Sequence, residues 1–420
     1  MSSSAWRPQH VHIIGVGGIG MSGVANLLVQ LGCLVTASEL RDSPLLSPLR
    51  AQGVDLAFQP RPELAQRAEA ILLPAGVAPD HPERRAALAA GRPELSRDQA
   101  LLRLFEDQPC ISTHALLCRS TAAWTLRFCL RRQESKLGHC IGAKPRFPYG
   151  LTTTPSHVTT YAQLGSPMLL ELGDVVRASS SLLCHSQSSP PATGHCVWPQ
   201  HPGLCLAFTN GEQTLHADFQ AAPTHARIRV LGHSFLTPPG LVQAHAALAA
   251  ISFAHLQRAL DLAELARHWP EPQQLQLEGH FDVLHAQPLI VHEVRTFPAA
   301  IQACRDELEL IAPKQDVHIV FRPYPFTAPA QLHLLANALS RFQSISLLPD
   351  YPSQATPHDL QREHESPISA ELLARLKSTQ VDVLTCDEEH AMQRCSRRSS
   401  TVFVGGDDLR RLALACRPSH

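Results

Sequence analysis

The chain has 420 residues, 44% hydrophobic and 17% charged, with a formal net charge of -1. That length outgrows one ordinary core and, at roughly 100–200 residues per domain, predicts two to four domains, with three as the expectation. The near-neutral balance gives no electrostatic reason to seek nucleic acid or an anionic membrane, so neither is an expected partner.

The first element is a short apolar strand ending at His12-Ile13-Ile14, followed by the turn Gly15-Val16-Gly17-Gly18-Ile19-Gly20. No Asp, Glu, Lys or Arg occurs from Val11 to Ser38, which a hydropathy window would take for a signal peptide or a membrane span. The glycines, Asn26 and Gln30 argue instead for a strand, a turn and a helix in a water-soluble domain, with no membrane insertion. Val24, Leu27, Leu28 and Leu31 share one helical face, and Gly32 is the expected helix stop. A second strand over 33–39 ends in Glu39, completing the order of a mononucleotide-binding βαβ unit. In such a turn, glycines let the backbone approach a pyrophosphate, whose charge meets N–H groups and the positive end of the helix. Glu39 is then placed to hydrogen-bond a ribose hydroxyl. Taken alone, the unit fits an NAD-type dehydrogenase, although no downstream His, Lys or Tyr stands in a recognisable catalytic motif.

The 12 cysteines form no C-x-x-C pair, and Cys140, Cys184 and Cys196 merely adjoin histidines. They read as reduced thiols of a cytoplasmic protein, and no metal site is expected from them or from the 24 histidines, which form no H-E-x-x-H.

The wider text of the first hundred residues, 10-HVHIIGVGGIGMSGVANLLVQLG-32, 38-SEL-40, 74-PAGVAPDHPERRAAL-88 and 91-GRPELSRDQALL-102, resembles the N-terminal domain of the Mur ligases. Within that family it is most similar to the branch that joins L-alanine to UDP-N-acetylmuramate. The resemblance implies a UDP-sugar, not NAD, on the glycine turn. Carried over by position, it makes Gly15, Gly17, Gly18, Gly20, Met21, Ser22, Ser38 and Glu39 the candidate diphosphate and ribose contacts. Ala75, Gly76 and Val77 fill the second nucleotide-contacting turn, and Glu39 stands where the family usually has Asp. The implied fold is α/β in three domains: Rossmann-like over 1–108, a P-loop-type ATPase domain over 109–270 and a Rossmann-like ligase domain over 271–420.

The next strand leads, in the family, to G-T-H-G-K-T-T, a loop whose lysine meets ATP phosphates and whose hydroxyl helps hold Mg²⁺. Laid on it without a gap, this chain reads Ser112-Thr113-His114-Ala115-Leu116-Leu117-Cys118. Both glycines, the lysine and the following hydroxyls are gone, so a degenerate ATP loop is expected. A shifted reading makes Arg119-Ser120-Thr121 the stand-in for K-T-T, three residues later. The family's metal-binding acids have a poor counterpart in 168-MLLELGDVV-176, with Glu171 and Asp174, and 179–194 reads as a loop rich in Ser and Pro.

Farther on, 238-PPGLVQAHAALAAISFAHL-256 resembles the family's P-G-x-H-N helix, with Val242 and Gln243 in place of His and the ATP-holding Asn, and a helix is expected over 241–262. The segments 288–294, 316–324, 381–386 and 400–409 predict a parallel α/β sheet. There the family's R-R-F aligns with Gly279-His280-Phe281, its acid-histidine motif with 292–298, and its H-R-Y-T-R segment with part of 321–329. Losses spread over three regions imply that no catalytic set is intact and that ATP-dependent ligation is gone, with UDP-sugar binding or a scaffold role left; protein partners are not specified. The competing expectation is a divergent active ligase using ATP and Mg²⁺, in which His114, Arg119, Glu171, Arg295 and Arg322 take over the lost roles.

Overall fold

The computed structural model describes residues 6–40, 42–43, 45–74, 76–108, 110–115, 119–130, 137–142, 160–161, 168–171, 181–184, 195–200, 205–210, 213–313, 315–323, 331–350, 368–395 and 400–417. The protein is α/β, and its described strands form three sheets. By compactness the chain divides into one unit of Met1–Phe219, Ile228–Phe235 and His245–Leu275 and a second of Gln220–Arg227, Leu236–Ala244 and Gln276–His420.

In the first sheet β1 (His10–Ile14), β2 (Leu34–Ser38), β3 (Asp55–Ala57), β4 (Ala70–Leu72) and β5 (Glu94–Leu95) are ordered β3-β2-β1-β4-β5 and pair in parallel throughout. The strand order reverses between β1 and β4, so the loops after these two strands flank the crevice where doubly wound sheets take their ligands. Helices α1 (Ile19–Gln30), α2 (Leu46–Ala51), α3 (Pro62–Arg67), α4 (Pro82–Ala89) and α5 (Arg97–Leu104) complete the layer. Val24, Leu27 and Leu28 of α1 are fully buried, and Gly32, at φ +82°, ends the helix as its sequence predicts. One buried acid ties three of these elements together. Glu83 Oε1 lies 3.0 Å from His12 Nε2 and accepts from the Arg61 amide at 2.6 Å, while its Oε2 accepts from the Ser38 hydroxyl at 2.7 Å. Burial alone would raise the pKa of Glu83, and these hydrogen bonds outweigh it, holding the pKa below its ordinary value.

The second sheet carries ten strands: β6 (Cys110–Ala115), β7 (Gly138–Cys140), β8 (Thr160–Tyr161), β9 (Met168–Glu171), β10 (Ser181–Cys184), β11 (His195–Gln200), β12 (Cys205–Asn210), β13 (Gln213–Ala221), β14 (Ala226–Val230) and β15 (His233–Thr237). β7, β9, β6, β10 and β11 run parallel to their neighbours in that order, whereas β11-β12-β13 turn antiparallel. Helix α6 (Arg119–Leu130) follows β6. Two expectations change here. The 179–194 stretch is not loop at its start, because Ser181–Cys184 is a central strand paired on both edges by β6 and β11. Two neighbours supply the backbone partners that four residues of mixed composition would not advertise. The rest of that stretch lies outside the described residues, as does Asp174. The antiparallel run β11–β13 and the two strands beyond it were not expected at all.

The helix expected over 241–262 ends at Arg258, where Ala259 turns to φ +52° and Asp261 caps a new helix, Leu262–Arg267, by accepting from the Glu264 amide.

The third sheet, in the second unit, is ordered β16-β17-β21-β18-β19-β20, built from β16 (Asp282–Ala286), β17 (Leu289–Glu293), β18 (Val317–Phe321), β19 (Ser344–Leu347), β20 (Asp382–Thr385) and β21 (Ser400–Val404). All pairs are parallel except the β16–β17 hairpin. β17, β18 and β21 are buried along their whole length, as strands covered on both faces should be. Against this sheet the helix Pro298–Ile311 buries Glu307, whose Oε1 accepts from the Val242 amide at 2.7 Å. Its carboxyl also crowds Gly240, at φ +109°, where an added Cβ would stand 3.1 Å away. Burial pushes the Glu307 pKa up to about 8.

Two measurements follow from these local arrangements. Ser96 caps α5 with a full capping box, its hydroxyl accepting from the Gln99 amide and the Gln99 side chain accepting from the Ser96 amide. Ser96→Ala should therefore lower the unfolding free energy by about 1 kcal/mol in urea titrations. For Glu307, the folded chain keeps the proton up to about pH 8 while the unfolded chain releases it near 4.5, so its contribution to stability falls as pH rises through that window. Glu307→Gln should flatten the decline, read from melts taken between pH 5 and 8.5; an unchanged slope would show that this carboxyl is ionised in the fold.

Candidate functional site

The crevice is framed by the β1–α1 turn. Gly15 lies at φ +70°, and its amide donates to the Ser38 carbonyl at 2.9 Å across the β1–β2 register. A Cβ on Gly15 would stand 3.3 Å from Pro74 Cγ, so the turns after β1 and β4 meet closely there at a φ that side chains rarely adopt. Gly17 donates its amide to Glu39 Oε2 at 2.6 Å, and Glu39 Oε1 accepts from the Leu40 amide at 2.7 Å. Gly18 is the N-cap of α1 and faces open space, and the first turn of α1 holds no acidic residue. The helix start thus presents its positive end to the crevice with no side-chain cap.

The other carried-over residues divide between this crevice and the core. Met21 and Ser22 are buried, the Ser22 hydroxyl donating to the Ile19 carbonyl at 3.1 Å. Ser38 gives its hydroxyl to Glu83, away from the turn. Gly76 and Val77 lie in the loop after β4, where the Val77 carbonyl accepts from Arg84 Nη1 at 2.6 Å. Ala75 lies outside the described residues.

Arg97, the first residue of α5, packs its Cδ 3.1 Å from where a Cβ on Gly20 would stand. Its Nη1 donates to the Glu171 carbonyl at 2.6 Å and meets Asp98 Oδ1 at 3.0 Å, and its Nη2 lies 3.8 Å from Cys140 Sγ. Burial pushes the Cys140 thiol up to about 11, so Arg97 faces an uncharged sulfur near neutral pH. The Glu171 carboxylate accepts from the Gly142 amide at 2.6 Å and from the Ser120 hydroxyl at 2.9 Å. Sequence reasoning did not single out Arg97 or Gly142. The signal for Arg97 was present, since the Ser96-x-x-Gln99 box fixes the next residue at the start of a helix.

The expected ATP loop takes a different form. Ser112, Thr113, His114 and Ala115 are the last four residues of β6, paired to β9 and β10, so the ungapped alignment assigns loop residues to a strand. Leu116, Leu117 and Cys118 lie outside the described residues. Helix α6 begins with Arg119-Ser120-Thr121, which makes the shifted reading the one that coincides with a helix start. Ser120 and Glu171 supply one hydroxyl and one carboxylate, the donor types that hold Mg²⁺ beside a nucleotide, already bonded to each other. The sequence Ser112–Cys118 before them carries neither a glycine nor a lysine. Among the described residues, no group of three or more His, Cys, Asp or Glu side chains converges as a metal site.

In the second unit the two cations considered as replacements are held by acids. Arg295 forms a two-point ion pair with buried Glu293, at 2.7 Å from Nε and 2.6 Å from Nη2. The guanidinium of Arg322 bridges Asp408 at 2.5 Å and Glu388 at 2.7 Å. Gln243, at the position of the family's ATP-holding Asn, donates its amide to the His280 carbonyl at 2.5 Å. His292 Nε2 lies 3.0 Å from the Gly405 carbonyl, inside the fold. Residues 324–329 of the aligned H-R-Y-T-R segment lie outside the described residues.

Residues 10–108 match the model of the Mur ligase family, catalytic domain. The chain is 38% identical over 100 residues to the UDP-N-acetylmuramate--L-alanine ligase of Syntrophobacter fumaroxidans, a match covering 24% of this chain and 21% of that protein. It is 33% identical over 135 residues to the ligase of the same name from Chloroflexus aggregans, covering 32% of this chain and 28% of the relative. The matched segments thus span between a fifth and somewhat over a quarter of these curated relatives. The fold extends further: UDP-N-acetylmuramate-alanine ligase MurC from Thermotoga maritima superposes with a TM-score of 0.65 at 14% identity, over 97% of this chain and 98% of that one. A murein peptide ligase from Psychrobacter arcticus gives a TM-score of 0.60 at 12% identity, over 98% and 100%. Sequence and fold agree on the N-terminal part of the chain, and residues 10–108 are a domain of the Mur ligase family.

Proposed function

We propose that the chain is a Mur ligase homologue of the UDP-N-acetylmuramate:L-alanine ligase type, with the three-domain division at 108/109 and 270/271. On this reading its glycine turn takes a UDP-sugar, its ATP-dependent ligation is lost, and it acts in the cytoplasm as a binding or scaffold protein of peptidoglycan precursor synthesis. No described helix is long and apolar enough to cross a membrane.

The observation that carries the loss of ligation is the pairing of Arg295 and Arg322. Making an acyl-phosphate from a carboxylate and ATP needs cations on the transferring phosphoryl group. Arg295 is committed to a buried carboxylate on two nitrogens, and Arg322 to two carboxylates. Reassigning either to phosphate would strand a buried or partly buried acid without its partner, a change that costs several kcal/mol where the acid is buried. In the shifted reading Arg119 stands where the loop's lysine would be, and a guanidinium is not the equivalent of that lysine on ATP phosphates.

A second reading, a divergent active ligase, has one observation in its favour. Ser120 at the start of α6 and Glu171 at the end of β9 lie in hydrogen-bond contact, as the hydroxyl and acid of a Mg²⁺ site would be neighbours. An NAD-type dehydrogenase has nothing beyond the glycine turn to support it.

Titration calorimetry separates these. UDP-N-acetylmuramate should give a saturable heat, and Mg·ATP none up to millimolar concentration. Micromolar binding of Mg·ATP would overturn the loss of ligation and favour the second reading. Silence from both ligands would leave a scaffold without a nucleotide site.

A further inference from the structure

The glycine turn already holds an anion of its own. Glu39 Oε2 takes the Gly17 amide at 2.6 Å, and a Cβ on Gly17 would stand 2.6 Å from the same oxygen. Its other oxygen, Oε1, accepts from the Leu40 amide at 2.7 Å, and the backbone that carries it is anchored where the Glu39 amide donates to the Ala57 carbonyl at 2.9 Å. N–H groups of a glycine turn that opens a helix are the donors a phosphate oxygen seeks. Here one of them is occupied by a side chain whose charge has the same sign as phosphate. Neither a side-chain cap nor a first-turn acid serves the start of α1, so Glu39 is the described acid bonded to this turn. The family's usual Asp is one methylene shorter and would end short of Gly17 from the same backbone position.

We propose that Glu39 is an internal stand-in for the diphosphate and a selectivity filter for the turn. A ligand phosphate must displace the carboxylate from Gly17, and the displaced carboxylate then needs a new donor. A nucleoside diphosphate brings that donor in its ribose hydroxyls, whereas inorganic pyrophosphate brings only more negative charge. The turn of this chain therefore admits ribose-bearing diphosphates and rejects bare ones. This inference rests on the UDP-sugar reading of the turn.

The test is calorimetric titration of the full chain with UDP and with pyrophosphate, in wild type, Glu39→Ala and Glu39→Gln, with thermal unfolding as a check on folding. Wild type should bind UDP and bind pyrophosphate far more weakly. Removing the carboxylate should strengthen pyrophosphate binding about tenfold, the scale of one charged hydrogen bond, and move UDP much less, so the ratio between the ligands narrows. Glu39→Gln, which keeps the shape and removes the charge, should narrow it in the same direction and carries the test if the alanine variant does not fold. An unchanged or widened ratio, with UDP still bound, overturns the filter and leaves the UDP reading standing. If UDP fails to bind wild type and both variants, the nucleotide reading and the filter fall together.

Discussion

Three side chains crowd one glycine turn: Pro74 against Gly15, Glu39 against Gly17 and Arg97 against Gly20. Each comes from a different segment of the chain, following β4, β2 and β5 respectively. A Cβ at any of the three would have to push its neighbour aside, and at Gly15, with φ +70°, it would also strain the backbone. This constraint decides how the first sheet is assembled, because the parallel register that sets Ile14 opposite Ser38 also brings Glu39 beside the turn. It also decides what a ligand would meet there, which is a helix start with room at Gly18, a carboxylate at Gly17 and a guanidinium behind Gly20.

Several other charged groups are bonded to one another within the fold. Glu83 takes hydrogen bonds from Ser38 and Arg61 and contacts His12; Glu293 holds Arg295; Asp408 and Glu388 hold Arg322; Glu171 takes Ser120 and Gly142. A catalytic site for phosphoryl transfer keeps such groups aimed at a position where charge will develop and tolerates their poor satisfaction in the resting state. The same residue types thus serve a different end according to where their partners stand.

Much of the first domain was legible in its letters because each signal was local. Glycines at 15, 17, 18 and 20, the spacing of Val24, Leu27 and Leu28, and Gly32 as a stop all act within a few residues, and the mainly apolar β18 and the apolar Val402-Phe403-Val404 of β21 announce buried strands. What could not be read were pairings across long separations. Arg322 meets Glu388 and Asp408 at 66 and 86 residues, and the acid that sits on Gly17 comes from 22 residues away. No pattern in the string tells a Glu that will reach a ribose from one that will fold back on a turn, because that choice is a side-chain rotamer. β10 escaped because four residues carry too little periodicity, and its existence is dictated by its neighbours. The placement of Ser112–Ala115 went astray because the alignment supplied a loop length that this chain does not keep.

The core under the first sheet carries a consequence for where this domain ends. Val24, Leu27 and Leu28 belong to one apolar cluster with Cys110, Cys140, Met168 and Leu170 from the second sheet, and Gly142 brings the second sheet to within 3.7 Å of Gly20 at its would-be Cβ. The match to the family model ends at residue 108, whereas the apolar cluster around α1 continues through Leu170. The N-terminal module and the strands after it share a single interior. A cavity opened at Met168 or Leu170 would therefore be felt in the same apolar cluster that Val24, Leu27 and Leu28 close.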